Sequence, residues 1–197
     1  MAIVVEHEER RKKILEKALA VFMDDGFESA TFQKIADRCG ITRTILYLYF
    51  KNKREIFAYS IKQLLLSVEE GINSIRADES LKCAEKISGV MLNIFNVLED
   101  NKQLLRIILD YVLLLPKNNI NPEERVRRRT VKLRHILSSM IIEGIKSGEL
   151  KKINIKTAND YLYNFIESAI FNLIVLKRKD LDEMKKTVAF AVKQIEA

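Results

Sequence analysis

The span from Thr31 to Lys53 constrains this chain more than any other, because two short amphipathic stretches, each opened by a threonine, stand only three residues apart. Threonine is a good N-cap, since its hydroxyl accepts a hydrogen bond from an otherwise unpaired N–H of the first helical turn. The first stretch, Thr31 to Arg38, turns Phe32, Ile35 and Ala36 to one side; the second, opened by Thr42, turns Leu46 and Phe50 inward, with Ile41 just ahead of it. Gly40 is the turn between them. Upstream, Glu8 to Asp25 carries Ile14, Leu15, Ala18, Val21 and Phe22 at helical spacing and runs into Gly26-Phe27, a glycine stop followed by a hydrophobic contact. Helices in this order form the helix-turn-helix arrangement, whose second member enters the major groove of DNA while the one before it crosses the backbone.

The residues of the second stretch suit that task. Thr42 caps a helix starting at Arg43, whose first-turn N–H groups favour a phosphate. Tyr47 and Tyr49 bring a hydroxyl each near its end, and Lys51 and Lys53 supply charge that displaces counterions from a phosphate backbone. Sequence readout falls to Arg43, Thr44, Ile45 and Leu48.

The runs Ile14 to Phe22, Gly26 to Thr31, Ile35-Ala36, Gly40-Ile41-Thr42 and Leu46 to Lys53 closely resemble the tetracycline-repressor (TetR) family, over about the first quarter of the chain. By that resemblance Thr31, Tyr47, Tyr49 and Lys51 are phosphate contacts, and Thr42, Arg43, Thr44, Ile45 and Leu48 occupy the recognition surface. The pattern departs at Thr44 and Ile45, where the family often has a small residue and a threonine, and at Lys34, where an acid would complete a capping box with Thr31.

Composition narrows the class. With no Trp, two Pro and six Gly in 197 residues there are few breaks between helices, and an all-α chain of about nine helices is expected. The net charge of +7 favours a polyanionic partner, although residues 1–57 hold eleven Lys and Arg against nine Asp and Glu. The two thiols, Cys39 and Cys83, lack metal-ligand or disulfide spacing; they are expected to be inert small hydrophobes in a reducing cytoplasm. No metal, cofactor or catalytic residue is expected, since two histidines, no nucleophile elbow and no phosphate-binding glycine loop leave an enzyme little to work with. The longest apolar runs, Ile107 to Leu115 and Ala169 to Leu176, fall short of the ~20 residues that span a bilayer, so no membrane partner is expected.

Beyond the motif, a helix from Lys53 to about Ile75 links head to body and is the natural lever. Helices over Glu79 to Glu99 and Asn101 to Leu115 follow, the second stopped by Pro116. Asn121-Pro122-Glu123-Glu124 starts another that runs to Ser147. Asn154 or Thr157 opens an apolar helix to about Lys177, and Asp180 opens the last. The cluster Arg125, Arg127, Arg128, Arg129, Lys132 and Arg134 holds the phosphates of an acyl-CoA or nucleotide, or is a solvated face paired with Glu123 and Glu124. Met91, Phe95, Tyr111, Met140, Tyr161 and Phe165 line a pocket or are ordinary core, and His135 is a polar handle for a ligand or a surface histidine.

The last two helices each show an apolar face, one containing Phe165, Ala169 and Leu173, the other Met184, Val188, Ala191 and Val192. These faces are buried within the chain or, as the family resemblance favours, pair with their twofold mates in a four-helix bundle. The expectation is an all-α protein with a three-helix helix-turn-helix DNA-binding domain (residues 1–54, motif about 31–50) and a helical ligand-binding and dimerisation domain (55–197). Its partners are double-stranded DNA with a palindromic operator, a second copy of itself and a small, largely apolar effector of unknown identity that releases the DNA. A DNA-bound protein-interaction factor without an effector is the alternative.

Overall fold

The computed structural model describes residues 2–114 and 122–197, with side chains over 7–112 and 131–197. Among the described residues the chain forms helices α1 Ala2–Ser29, α2 Phe32–Cys39, α3 Arg43–Tyr47, α4 Lys53–Ala77, α5 Cys83–Asp100, α6 Lys102–Leu114, α7 Pro122–Ser147, α8 Ile155–Ile174 and α9 Asp182–Lys193. The β pairing among these residues is an isolated bridge between Leu150 and Glu196. No described helix is long and apolar enough to cross a membrane.

The helix punctuation follows the caps. Gly26, at φ 76 and ψ 162, interrupts the helical path of α1 before Phe27, where a side chain would be strained. Asn154, rather than Thr157, caps α8 by accepting from the Thr157 N–H at 2.9 Å. Helix α8 stops at Ile174, short of Lys177, and Leu181 rather than Asp180 precedes α9. The Glu99 carboxylate, reaching from α5, accepts from the Leu181 N–H and from Lys185 at 2.5 Å, so one acid holds the start of α9. That partnership raises the Lys185 pKa, chiefly through its hydrogen bond to Glu99. The expected stop at Pro116 and cap at Asn121 lie outside the described residues, as do the side chains of Glu123 to Arg129. Lys132 and Arg134 are paired, Lys132 with Glu69 at 2.7 Å and Arg134 with Asp160, as on a solvated charged face.

Two compact units emerge. The first runs through Leu66 and takes in Arg106–Leu113 from α6; the second comprises Ser67–Leu105 and the chain from Leu114 onward. Aromatic packing explains why the first unit extends past residue 54 and recruits α6. Phe57 of α4 meets Phe22 and Phe27, and Tyr111 lies edge-on to Phe27 at 4.6 Å and to Phe57 at 5.0 Å. In the second unit α5 is central, with Ile87, Val90, Met91 and Phe95 fully buried in a core shared with α7, α8 and α9. Both cysteines are half-buried, and burial pushes both thiols up from the usual range, which leaves little thiolate at neutral pH.

Candidate nucleic-acid interface

Helix α2 is fastened to the end of α1. The Thr31 hydroxyl accepts from the Lys34 N–H at 3.1 Å. Lys34, instead of completing a capping box, turns its ammonium back to Asp25 at 2.8 Å, and Arg38 pairs with Asp24 at 2.8 Å. Gly40 closes the helix in the left-handed region at φ 68, its N–H on the Asp37 carbonyl and the Ile41 N–H on Ala36. Thr42 then opens α3 by accepting from the Ile45 N–H at 3.2 Å. Leu46 and Phe50, at 0% and 1% exposure, pin the segment to the core.

That anchoring turns a defined set outward: Arg43, Thr44, Tyr47, Leu48 and Lys51 are exposed, and Ile45 and Tyr49 are half-buried. The Arg43 guanidinium donates to the Tyr47 hydroxyl at 3.0 Å and lies 5.5 Å above its ring, while the Phe32 ring of α2 packs tilted against that of Tyr47, their centroids 4.8 Å apart. The segment from Ile41 to Arg54 contains no acid, so nothing within it offsets Arg43, Lys51 and Arg54. Helix α4 begins with its own cap, Asn52 accepting from the Glu55 N–H at 3.0 Å and Glu55 from the Lys51 N–H at 2.5 Å.

Lys53, expected on a phosphate, is turned inward. Its ammonium donates to the carbonyls of Phe27 and Glu28 at 2.8 Å and of Ala30 at 2.9 Å, and sits 4.9 Å from the Phe27 ring. Burial holds its pKa below the ordinary lysine value, with Glu28 opposing and Arg54 adding to the shift. The lysine closes the carbonyl ends left open where α1 gives way to α2, a role no sequence spacing displays. Arg11, one of the basic run Arg10 to Lys13, is likewise half-buried, its guanidinium 4.1 Å from the Tyr59 ring and 5.0 Å from Phe50. Arg10, Lys12 and Lys13 remain exposed. His7, not singled out in the sequence, stacks on Tyr49 at 4.6 Å.

The residues expected to line an effector pocket divide between the two units. Met91, Phe95 and Met140 are buried in the second unit's core, Phe165 is half-buried against Tyr161 at 5.2 Å, and Tyr161 and His135 are exposed. Tyr111 belongs to the aromatic cluster of the first unit. A recess of about 550 Å³ in the second unit, between the ends of α4 and α7 and the start of α5, takes Met140 alone from that set. Its charged lining, Arg76, Lys86, Glu143 and Glu149, is of mixed sign.

Much of the expected dimer face is already covered within a single chain. Ala169, Leu173, Val188, Ala191 and Val192 are at most 4% exposed within a single chain, so they have no surface to offer a second copy. Met184 and Phe165 are half-buried against the same core. The large apolar groups α8, α9 and the turn between them leave outside are Ile155, Tyr161, Phe171, Val175, Leu176 and, at 66% exposure, Phe190. Helical spacing finds apolar faces but does not say which one the chain itself covers.

Residues 14–59, covering α1 from the buried Ile14 through the opening turns of α4, match the model of the bacterial regulatory proteins of the tetR family. Through those residues the chain carries the head of the tetR family. It is therefore a transcriptional regulator with a DNA-binding helix-turn-helix head and a helical second region. It is 25% identical over 182 residues to the fatty acid metabolism regulator protein of Bacillus subtilis, covering 89% of this chain and 90% of that one. Its fold matches FadR from Bacillus subtilis in complex with stearoyl-CoA, with a TM-score of 0.70, 23% identity and coverage of 92% and 96%. It also matches a TetR transcription regulator from Haloarcula marismortui, with a TM-score of 0.80, 17% identity and coverage of 96% and 100%.

Proposed function

We propose that the TetR-family regulator acts as a dimeric repressor that holds a palindromic operator through the outward face of α3 and is released by a small ligand with a long apolar part. The observation that carries the DNA assignment is the outward set Arg43, Thr44, Tyr47, Leu48 and Lys51, borne on a segment, residues 41–54, that contains no acid, and held outward by the buried Leu46 and Phe50. Lys51, the Tyr49 hydroxyl and the hydroxyls of Thr31 and Thr42 serve the phosphate backbone; Arg43, Thr44, Ile45 and Leu48 serve base edges. Twofold symmetry sets half-site centres about 34 to 36 Å apart, one helical turn, or a multiple of it.

Tyr47 has a second duty beside any phosphate. Its hydroxyl accepts from Arg43 and its ring supports the guanidinium, so the arginine is aligned before DNA arrives. Arg43→Ala is expected to cost ~1 to 3 kcal/mol at one guanine per half-site and to relax preference there. Tyr47→Phe keeps the ring against Phe32 but removes the acceptor, and is expected to lose part of the same discrimination. Competition binding on single-base operator variants checks this, and unchanged preference in both proteins would remove Arg43 from base readout.

The ligand class is supported by the similarity to the fatty acid metabolism regulator protein of Bacillus subtilis and by the fold shared with FadR of that organism, which was solved with stearoyl-CoA. A ligand shifts the regulator only by its differential affinity for the DNA-competent and incompetent arrangements. Helices α4 and α6 each contribute residues to both units and are the covalent route for such a shift. Stearoyl-CoA at one hundred times its Kd should therefore raise stability by about 2.7 kcal/mol and, by reciprocal linkage, weaken operator binding by roughly 5- to 150-fold. Thermal melts and operator titrations with stearoyl-CoA, free stearate and coenzyme A alone separate head group from tail. Binding that never alters operator affinity would favour the effector-free interaction factor.

A further inference from the structure

Leu48 is 72% exposed, the most exposed large apolar residue among those described, although the residues two before and two after it, Leu46 and Phe50, are at 0% and 1%. It is held outward by its neighbours rather than left in a loose tail. Leu48 caps α3 in the right-handed helical region, at φ −68 and ψ −23, so the helical register continues through it and Thr44 lies one turn before it on the same face. The outward side of α3 thus carries two parallel rows: Arg43 with Tyr47, joined by a hydrogen bond, and Thr44 with Leu48, ending in a bare isobutyl group.

Resting on the operator reading above, we infer that Leu48, flanked by the Thr44 methyl, reads a thymine by its C5-methyl group. The occupant of this apolar spot is DNA rather than protein because the segment that carries it, Ile41 to Arg54, holds four cationic residues and no acid. Among the four bases, thymine alone presents a methyl group in the major groove; the other edges present donors and acceptors that an isobutyl group would desolvate without replacing. Arg43 and Leu48 therefore divide the half-site, the arginine taking a hydrogen-bonding edge and the leucine a methyl group a few base pairs away.

The test uses the full-length protein and the best duplex recovered by selection from random-sequence DNA. Each thymine is replaced singly by deoxyuridine, which deletes the methyl group and leaves pairing intact. One thymine per half-site is expected to respond, with about fourfold weaker binding, the value of one methyl group, and about fifteenfold when both half-sites are substituted. Leu48→Ala should bind the thymine duplex more weakly and lose the response at that position alone; the exposed site makes misfolding no competing explanation, and a melt confirms it. Tolerance of deoxyuridine at every position, or an undiminished response in Leu48→Ala, would overturn the inference while leaving operator binding intact. Failure to select any duplex would overturn both.

Discussion

Phe190→Glu is expected to give a folded chain that sediments as a monomer and has lost nearly all operator affinity, whereas Leu173→Glu and Val188→Glu are expected not to fold. The distinction rests on burial within one chain. Leu173 and Val188 are 4% and 0% exposed in the core built around α5, where an unpaired carboxylate costs several kcal/mol against a total stability of about 5 to 15. Phe190 is 66% exposed on α9, and Phe171 on α8 is 51% exposed. A twofold interface uses each phenylalanine twice, so removing both copies of Phe190 forfeits ~3 to 6 kcal/mol, about two to four orders of magnitude in the dimer Kd. The substitution also brings two carboxylates to one apolar seam. Sedimentation velocity and circular dichroism distinguish the outcomes; a dimeric Phe190→Glu protein with normal operator binding would place the interface elsewhere.

Lys51→Ala and Lys53→Ala should separate two lysines that look alike in the sequence. Lys51 is exposed, and its loss should weaken binding to all DNA sequences and reduce the salt slope by ~0.9 per half-site. Lys53 is committed to the Phe27, Glu28 and Ala30 carbonyls. Its removal strands three acceptors at the α1–α2 junction. Because that site is partly open to water, the expected loss is about 2 to 3 kcal/mol in all, rather than the full sum for three charged hydrogen bonds. The head should melt several degrees lower while the salt slope is unchanged. Salt-titrated binding with parallel melts reads both quantities. A normal melt with a flattened slope for Lys53→Ala would mean that its ammonium leaves the carbonyls for a phosphate.

The head was legible in the sequence because its signals are local. Thr31 and Thr42 cap helices through their own side chains three residues onward, and Gly40 turns because its backbone conformation disfavours a side chain. A spacing of three or four residues also sufficed to find Ile35, Leu46 and Phe50 as anchors, and to leave Arg43, Thr44 and Leu48 outside. Lys53 and Arg11 resist such reading because their partners are distant in sequence: carbonyls 23 to 26 residues away, and rings at Phe50 and Tyr59. A basic residue announces charge, and tertiary packing alone decides whether that charge meets a phosphate or a carbonyl. The same limit governs α8 and α9. Their apolar periodicity is plain in the chain, but which stripe lies against α5 depends on how the helices are rotated in the core. That rotation buried Leu173 and Val188 and left Phe171 and Phe190 in water, because helix periodicity is indifferent to the partner and only the packed neighbours choose.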